Sequence, residues 1–261
     1  RYARVTGVQT CALPICQFDF ETIFSSKKHI IDTSYLLLSE SDDSVLGTGA
    51  FGNVIRAFDS KNQKIVAIKR FSFDKIDYKK ACALFHEVFI MSKIHNMFLV
   101  NLIGFSSVYP YYLVMELVQN GSLFEHLHGR KHPLWLTNTR KTVIALGIAC
   151  GMIYIHNNSI IHGDLKSNNI LIDDNYYPKI CDFGIARFVD QKGDSEIPSG
   201  TPCWMAPEML KGEQYGKEVD VYSFAMILYE MLTYEIPFKG KNSFEIMRIV
   251  CSKNERPKLP S

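Results

Sequence analysis

The sequence lacks the cysteine pattern of a disulfide scaffold or of a zinc site. Its 7 cysteines are scattered, none forms a Cys-x-x-Cys pair, and no group of cysteine and histidine has zinc-ligand spacing. An odd, scattered set of thiols is typical of a reducing compartment. We therefore expect a cytoplasmic protein with reduced cysteines.

The sequence also lacks a charge excess and a long apolar run. Lys and Arg number 29 against 27 Asp and Glu, so the formal net charge is only +2. A charge this small gives no reason to expect nucleic-acid or membrane-surface binding. The longest uncharged apolar run, 143–155, contains two glycines and is shorter than the roughly 18 residues that a membrane span needs. We expect neither a nucleic-acid partner nor a membrane span.

What is present is the composition of an ordinary globular protein. Apolar residues make up 47% and charged residues 21% of the 261 residues, which argues against a disordered or collagen-like chain. A chain of this length can bury a sizeable core without metals or disulfides. The length allows one large domain or two small ones.

The first residues have neither helical nor strand periodicity. Residues 5–15, VTGVQTCALPI, can be back-translated into a DNA string that resembles a common sequencing-library adapter. We interpret this stretch, with the residues before it, as an assembly artefact rather than natural protein. Residues 17–34 are mixed and polar, so we expect 1–34 to be a lead-in that precedes the domain.

From residue 35 onward, the apolar pattern predicts strands first and helices later. Short runs with a period of two favour strands, and these runs are 35–38, 44–58, 64–71, 99–105 and 111–117. One amphipathic helix, 78–94, interrupts them, with Leu84, Val88, Met91 and Ile94 on one face. The first third of the chain is therefore predicted to be an antiparallel sheet with one helix.

The rest of the chain is predicted to be mainly helical. Residues 138–157 and 219–234 are apolar on most sides, as expected of helices inside a core. Short strands are predicted over 170–172 and 178–181, on either side of a turn. A change in composition near 116–121 indicates a boundary between two lobes.

A Gly-x-Gly-x-x-Gly pattern lies within residues 46–54 and is a weak signal by itself. A dinucleotide-binding fold would need a helix after the glycines and an acidic residue about 20 positions on, but a strand follows and Lys69 lies near that position. A P-loop would need Lys and Ser or Thr directly after Gly52, where the sequence has Asn and Val. The interpretation that remains is a glycine-rich hairpin that closes over phosphates.

A lysine and a glutamate further along the chain support this interpretation. Lys69 follows Val-Ala-Ile on a predicted strand, and Glu87 lies on the predicted helix after it. An unpaired buried ammonium is costly to desolvate. We therefore expect Glu87 to pair with Lys69 and to hold it toward the phosphates of a nucleotide.

Three more motifs complete a known pattern. They are His162-Gly-Asp164-Leu-Lys166 with Asn169, Asp182-Phe-Gly184, and Ala206-Pro-Glu208. Together with the glycine hairpin and the Lys69 strand, in this order, they resemble the eukaryotic protein kinase family from about residue 35 to the C-terminus. The resemblance implies an α+β, two-lobed protein kinase fold.

The resemblance also implies where the lobes begin and end. An N-lobe over 35–114 would hold an antiparallel β-sheet and one helix, and a hinge would follow over 115–119. The C-lobe over 120–261 would be mainly helical.

Roles for individual residues follow from the same resemblance. Asp164 would accept or orient the proton of the substrate hydroxyl, and Lys166 would steady the γ-phosphate of ATP. Lys69, paired with Glu87, would contact the α- and β-phosphates.

The resemblance assigns Mg²⁺ to two side chains and the nucleotide to a larger set. Asn169 and Asp182 would hold the metal ion. His162, Phe183, Met91 and Leu102 align with the hydrophobic spine of the family. The nucleotide-binding positions would be Leu46, Gly47, Gly49, Gly52, Val54, Ala67, Lys69, Met115, Glu116, Leu117 and Leu171.

The sequence around the motifs most resembles the tyrosine-kinase-like group, whose members mostly phosphorylate Ser and Thr. Lys166 in its Asp-Leu-Lys-Ser context and Thr201 favour the same specificity. We therefore expect an ATP- and Mg²⁺-dependent protein serine/threonine kinase that acts on proteins in signal transduction. The alternatives are a pseudokinase or scaffold module that binds nucleotide without phosphate transfer, and a dual-specificity enzyme.

The chain departs from the family pattern in three places. Gly163 replaces an arginine that normally pairs with a phosphate on the activation segment. Tyr222 and Ala225 replace Trp and Gly on the helix of Asp220, which by resemblance accepts hydrogen bonds from the catalytic-loop backbone. The family also continues through two more helices, with an arginine that pairs with the equivalent of Glu208, so we expect an incomplete and less stable C-lobe.

The glycine at position 163 leads to a prediction about regulation. Without an arginine there, a phosphate on Ser195, Ser199 or Thr201 loses its main acceptor. We expect phosphatase treatment, with phosphate removal verified by mass spectrometry, to leave the rate of phosphate transfer close to that of the untreated protein. Loss of most of the activity would contradict this prediction.

Overall fold

The structure is a computed structural model. It describes residues 29–38, 45–49, 52–71, 78–106, 111–129, 133–189 and 200–259. The adapter-like stretch 5–15 lies outside these residues, as do Ser195 and Ser199.

In the described part of the chain, six strands form the antiparallel sheet of the small lobe. They are β1 (Leu36–Leu38), β2 (Val45–Gly49), β3 (Gly52–Asp59), β4 (Lys64–Phe71), β5 (Leu102–Phe105) and β6 (Tyr111–Glu116). The strand order is β1-β3-β4-β6-β5, and β2 also pairs with β3. The predicted antiparallel sheet is thus confirmed.

One helix, α1 (Tyr78–Lys93), packs against this sheet. Leu84, Val88, Met91 and Ile94 are buried in the main core, as their spacing predicted. Phe85 of α1 contacts Phe105 of β5, with ring centroids 6.3 Å apart. This face fixes α1 against the sheet.

The chain ahead of β1 also belongs to the packed structure. Ile31 N donates to the Phe105 carbonyl oxygen over 3.0 Å, and Phe105 N donates to the His29 carbonyl oxygen over 2.8 Å. Residues 29–31 therefore cover the edge of β5, and Thr33–Tyr35 form a 3-10 turn. The domain start at residue 35 stays a prediction, although the described chain packs against the sheet from residue 29.

The large lobe is mainly helical in its described residues. Its helices are α2 (Leu123–His128), α3 (Asn138–Asn157), α4 (Pro207–Leu210), α5 (Glu218–Thr233) and α6 (Ser243–Met247), which continues into a π-helical turn at Arg248–Ser252. Ser122 and Asn242 cap α2 and α6 with reciprocal hydrogen bonds from a glutamate. No helix of the described residues is long and apolar enough to cross a membrane.

Four short strands, paired two by two, connect the loops of this lobe. They are β7 (Ile160–Ile161), β8 (Ile170–Ile172), β9 (Pro178–Ile180) and β10 (Arg187–Phe188). The pairs are β8 with β9 and β10 with β7, both antiparallel. β8 and β9 were predicted, whereas β7 and β10 are too short to show a period in the sequence.

The two long helices are less enclosed than their composition predicted. Leu146 and Ile153 of α3 are exposed by 64% and 60%, and Val221 and Leu232 of α5 by 61% and 65%. The opposite faces of both helices lie in the main core. The prediction that both helices belong to a core is confirmed for the buried faces, and an apolar pattern alone cannot tell a covered face from an open one.

Two glycines allow α3 to approach β9 closely. A Cβ at Gly147 would lie 2.6 Å from Pro178 Cγ, and a Cβ at Gly151 would lie 2.8 Å from Ile180 Cδ1. Both distances are shorter than ordinary carbon contacts. The glycines therefore set the distance between the helix and the strand that leads to Asp182.

This contact generates a prediction for stability. Gly to Ala inside a helix normally stabilises by roughly 0.5–1 kcal/mol. We expect Gly147→Ala to destabilise instead, by about 1–3 kcal/mol, because it overpacks the contact with Pro178. Thermal unfolding measures the change, and Thr142→Ala on the exposed side of α3 is the control. A Gly147→Ala protein as stable as the wild type would refute the account.

Candidate functional site

The centre of the site is a buried lysine that joins two carboxylates. Lys69 Nζ donates to both carboxylate oxygens of Glu87 over 2.9 Å and to Asp182 Oδ1 over 3.1 Å. Lys69 lies on β4, Glu87 on α1, and Asp182 follows β9. The expected pairing of Lys69 with Glu87 is confirmed.

Charge outweighs burial at this lysine. Burial alone would lower the pKa of the Lys69 ammonium, but the carboxylates of Glu87 and Asp182 raise it above its usual range. At Asp182 burial would raise the pKa of the carboxyl, but the Lys69 ammonium lowers it. Lys69 therefore carries its charge at neutral pH, beside a carboxylate that is 46% exposed.

The backbone of Asp182 is held in an unusual conformation. Its φ of 63° lies in the left-handed region, which costs a residue other than glycine about 1–2 kcal/mol. Such residues persist where the surroundings fix them, often at functional sites. Here the next residue, Phe183, is completely buried, so the core holds one residue while its neighbour turns toward Lys69.

His162 connects this turn to the catalytic loop. Its Nε2 donates to the Cys181 carbonyl oxygen over 3.1 Å, and its Nδ1 accepts from Asp164 N over 3.3 Å. This pair of contacts fits the neutral tautomer with the proton on Nε2. The His162 and Phe183 rings lie 5.2 Å apart. Of the other predicted spine residues, Met91 lies in the core around Phe183 and Leu102 packs against it.

The catalytic loop gathers its polar side chains around Asp164. Lys166 Nζ donates to Asp164 Oδ2 over 2.6 Å and to Thr201 Oγ1 over 2.8 Å. Asn169 Nδ2 donates to the Asp164 carbonyl oxygen over 2.8 Å. Thr201 Oγ1 lies 3.5 Å from Asp164 Oδ1, so this carboxylate oxygen is within reach of a hydroxyl.

A buried carboxylate beneath the loop fixes its backbone. Asp220 accepts from His162 N and Gly163 N, each over 2.9 Å, and from His156 Nε2 over 2.8 Å. The Asp220 side chain is almost completely buried, and three donors offset the cost of removing it from water. The predicted hydrogen bonds from the catalytic-loop backbone to Asp220 are confirmed.

The three departures from the family pattern differ in their consequences. Gly163 adopts a φ of 76°, where a residue with a Cβ is strained. Tyr222 packs against the core under the guanidinium of Arg256, 5.3 Å away, and Ala225 is exposed. Glu208 is half-buried and has no ion pair with any described residue.

The predicted nucleotide-binding positions on the sheet are brought together by strand register. Gly47 pairs with Val54, Val54 with Lys69, and Ala67 with Met115. Leu46, which precedes Gly47 on β2, is 42% exposed. These residues therefore form one continuous surface that leads to Lys69.

The remaining predicted positions lie at the ends of this surface. Gly49 and Gly52 pair across the hairpin, whose tip, 50–51, lies outside the described residues. Leu117 follows β6 and is half-buried, and Leu171 of β8 pairs with Ser122. The roles of these residues in binding stay predictions.

Sequence reasoning missed a contact behind the hinge. Glu116 Oε1 accepts from Lys179 Nζ over 2.9 Å and from Asn101 N and Nδ2, each over 2.8 Å. The side chain of Glu116 is thus fixed between β9 and the segment before β5. Lys179 lies between two buried residues of β9, and no local pattern in the sequence identifies its partner 63 residues away.

A second missed group surrounds Glu230 of α5. The carboxylate is fully buried and accepts from Ser167 Oγ and His128 Nε2 over 2.8 Å and from Trp204 Nε1 over 2.7 Å. Burial raises the pKa of the Glu230 carboxyl, and these donors oppose the rise. The group ties α2, the catalytic loop and the segment after Thr201 to α5.

The donor set fits the expected metal ion. Asp182 offers a partly exposed carboxylate, and Asn169 uses its Nδ2 for hydrogen bonds, which leaves an amide oxygen as a ligand. Oxygen donors suit Mg²⁺, which is usually held by one or two carboxylates together with substrate phosphates. Within the described residues, no cluster of three or more His, Cys, Asp or Glu could hold a metal alone.

Comparisons with known proteins agree with this geometry. The family model described as "Protein kinase domain" matches residues 41–259. The chain is 33% identical to serine/threonine-protein kinase STY46 of Arabidopsis thaliana over 216 residues, which are 82% of this chain and 37% of the relative. It is 35% identical to the probable serine/threonine-protein kinase drkC of Dictyostelium discoideum over 258 residues, 95% of this chain and 33% of the relative.

A third relative carries a broader name. Serine/threonine/tyrosine-protein kinase HT1 of Arabidopsis thaliana is 38% identical over 176 residues, 67% of this chain and 45% of the relative. The chain therefore spans less than half the length of each of these relatives. With the predicted motifs assembled in a two-lobed fold and the family match over most of its length, the chain belongs to the protein kinase family.

Proposed function

We propose that this chain is the catalytic domain of a cytoplasmic protein serine/threonine kinase. It transfers the γ-phosphate of ATP to Ser and Thr hydroxyls of proteins in signal transduction. The observation that carries the proposal is the bond of Lys69 Nζ to Glu87 from the small lobe and to Asp182 from the large lobe. This arrangement places a fixed positive charge beside a carboxylate at the junction of the two lobes.

The phosphate side of the reaction depends on this charge. Phosphoryl transfer requires positioning and charge stabilisation more than covalent chemistry. The hydrogen bonds to Glu87 hold the ammonium of Lys69 in place, so it is oriented before a nucleotide binds. Asn169 and Asp182 would hold Mg²⁺, which neutralises negative charge on the phosphate oxygens when bound.

The acceptor side depends on Asp164. Its Oδ2 is fixed by Lys166, and its Oδ1 lies 3.5 Å from the Thr201 hydroxyl. An incoming Ser or Thr hydroxyl would meet the same oxygen and donate its hydrogen bond there. Lys166 uses two of its three ammonium donors on Asp164 and Thr201, so the third would be available to the γ-phosphate.

The Ser/Thr specificity is supported by two observations. The Thr201 hydroxyl, which accepts from Lys166, lies 3.5 Å from Asp164 Oδ1, where the hydroxyl of a substrate Ser or Thr would bind. The names of STY46 and drkC also describe Ser/Thr kinases. The name of HT1 includes tyrosine, so dual specificity is the alternative that phosphoamino-acid analysis distinguishes.

The first test compares the wild type with Asp164→Asn. We expect labelled γ-phosphate to appear on Ser and Thr of a mixed protein substrate, and the variant to lose about 10²–10⁴-fold of the rate, because its amide cannot take the proton. Asp174→Asn, in the exposed turn after β8, is the matched control and should retain the wild-type rate. Thermal unfolding must first show that all three proteins are folded.

The results separate the candidate functions. Label on Tyr as well as Ser and Thr would establish dual specificity. No label from a folded wild-type protein over a range of substrates would contradict the proposal and favour the scaffold module.

The second test addresses the metal ion. We expect Mg²⁺ to increase the thermal stabilisation of the wild type by ATP, and Asp182→Asn to lose this increase. Asn tolerates the left-handed backbone of residue 182, so the variant removes the charge and keeps the turn. A Mg²⁺-dependent increase that survives in Asp182→Asn would contradict the assignment of this ligand.

A further inference from the structure

Helix α1 contacts the segment after Asp182 through two of its side chains. His86 Nε2 lies 2.5 Å from the Ala186 carbonyl oxygen. The Phe89 ring packs edge-on against Phe188, with centroids 5.9 Å apart. Because residues three apart share one side of a helix, His86 and Phe89 form a single face of α1 toward this segment.

The hydrogen bond from His86 has a defined direction. A carbonyl oxygen can only accept, so Nε2 of His86 carries the proton and donates. The imidazole is half-buried between α1 and the segment. Burial lowers the pKa of His86, and the bond to Ala186 opposes this, so the ring is neutral at physiological pH.

The acceptor of this hydrogen bond is itself fixed. Ala186 is buried, and its N–H donates to the Phe183 carbonyl oxygen over 3.1 Å. The next two residues form β10, which pairs with β7 directly ahead of His162. The Ala186 carbonyl oxygen is thus a fixed point on the large lobe.

We propose that His86 is a positioning residue that holds α1, and with it Glu87, in place on Lys69. The proposal rests on the proposed kinase function, because it concerns the geometry of that site. His86 touches neither reacting group in the structure and acts through its neighbour Glu87. The sheet holds α1 from the opposite side, and His86 joins it to the large lobe.

The test replaces His86 by side chains that differ in reach and in hydrogen bonding. His86→Leu removes the donor, and His86→Asn keeps an amide that is too short to reach Ala186. We expect both to lower kcat/KM by roughly five- to tenfold, the size of one lost hydrogen bond. His86→Gln, whose longer amide can donate to the same oxygen, should recover most of the loss.

A matched control separates positioning from general loss of stability. Ile90→Val removes one methylene from a fully buried side chain of the same helix and leaves the hydrogen-bond donor of His86 in place. We expect it to lower the melting temperature while kcat/KM per folded protein stays at the wild-type value. An equal loss of kcat/KM in Ile90→Val would overturn the proposal.

A double-mutant comparison tests the route through Glu87. If His86 acts by placing Glu87, adding His86→Leu to Glu87→Gln should cause little further loss of kcat/KM. Losses that multiply in full would overturn the proposal, as would wild-type constants in His86→Leu or in His86→Asn.

A readout that does not require activity keeps this proposal separate from the proposed function. Backbone amides of α1 should exchange hydrogen faster in His86→Leu and His86→Asn than in the wild type, and at the wild-type rate in His86→Gln. Unchanged exchange in all three variants would overturn the role of His86. Failure of the wild type to transfer phosphate would contradict the proposed function alone.

Discussion

The ammonium group of Lys69 is buried, and the rest of the site is arranged to neutralise its charge. Lys69 lies on a central strand with only 10% of its side chain exposed, so its charge must be neutralised by neighbours. Glu87 supplies one carboxylate from α1, and Asp182 supplies another from the large lobe. The ion pair therefore requires the sheet, the helix and the turn after β9 to be in register at the same time, which ties local folding to the assembly of the site.

The large lobe applies the same constraint to carboxylates. Asp220 and Glu230 both lie on α5, both are buried, and each accepts three hydrogen bonds. Because most of the donors come from distant segments, the carboxylates can be satisfied only when those segments are in place. Asp220 thereby fixes the loop before Asp164, and Glu230 fixes the loop after it. The catalytic loop is held at both ends by one helix.

Elements with a clear period could be predicted from the sequence, whereas contacts between distant side chains could not. Apolar residues recur about every 3.6 residues on the buried face of α1 and every second residue along the strand of Lys69, so both elements could be predicted. The hydrogen bonds of Asp220 to the catalytic loop could be predicted only from the resemblance of the motifs. Lys179 and Glu116 are 63 residues apart, Glu230 and Ser167 are also 63 apart, and His86 and Ala186 are 100 apart. No local pattern encodes such pairs. The exposed apolar residues of α3 and α5 could not be predicted either, because the apolar pattern does not reveal which face of a helix is covered.

Residues 183–189, the described part of the segment after Asp182, are held mostly by uncharged contacts. Gly163 provides no cation, and the guanidinium of Arg187 is already engaged by the Tyr215 ring, 4.2 Å away, and by its carbonyl oxygen. The segment is held instead by backbone pairing of β10 with β7 and by the contacts of His86 and Phe89. Salt screens charged pairs far more than neutral contacts. Two kinds of contact therefore set the position of α1 on the large lobe. One is the charged bridge from Glu87 through Lys69 to Asp182, and the other is the uncharged contact of His86 and Phe89 with residues 186 and 188, which salt does not screen.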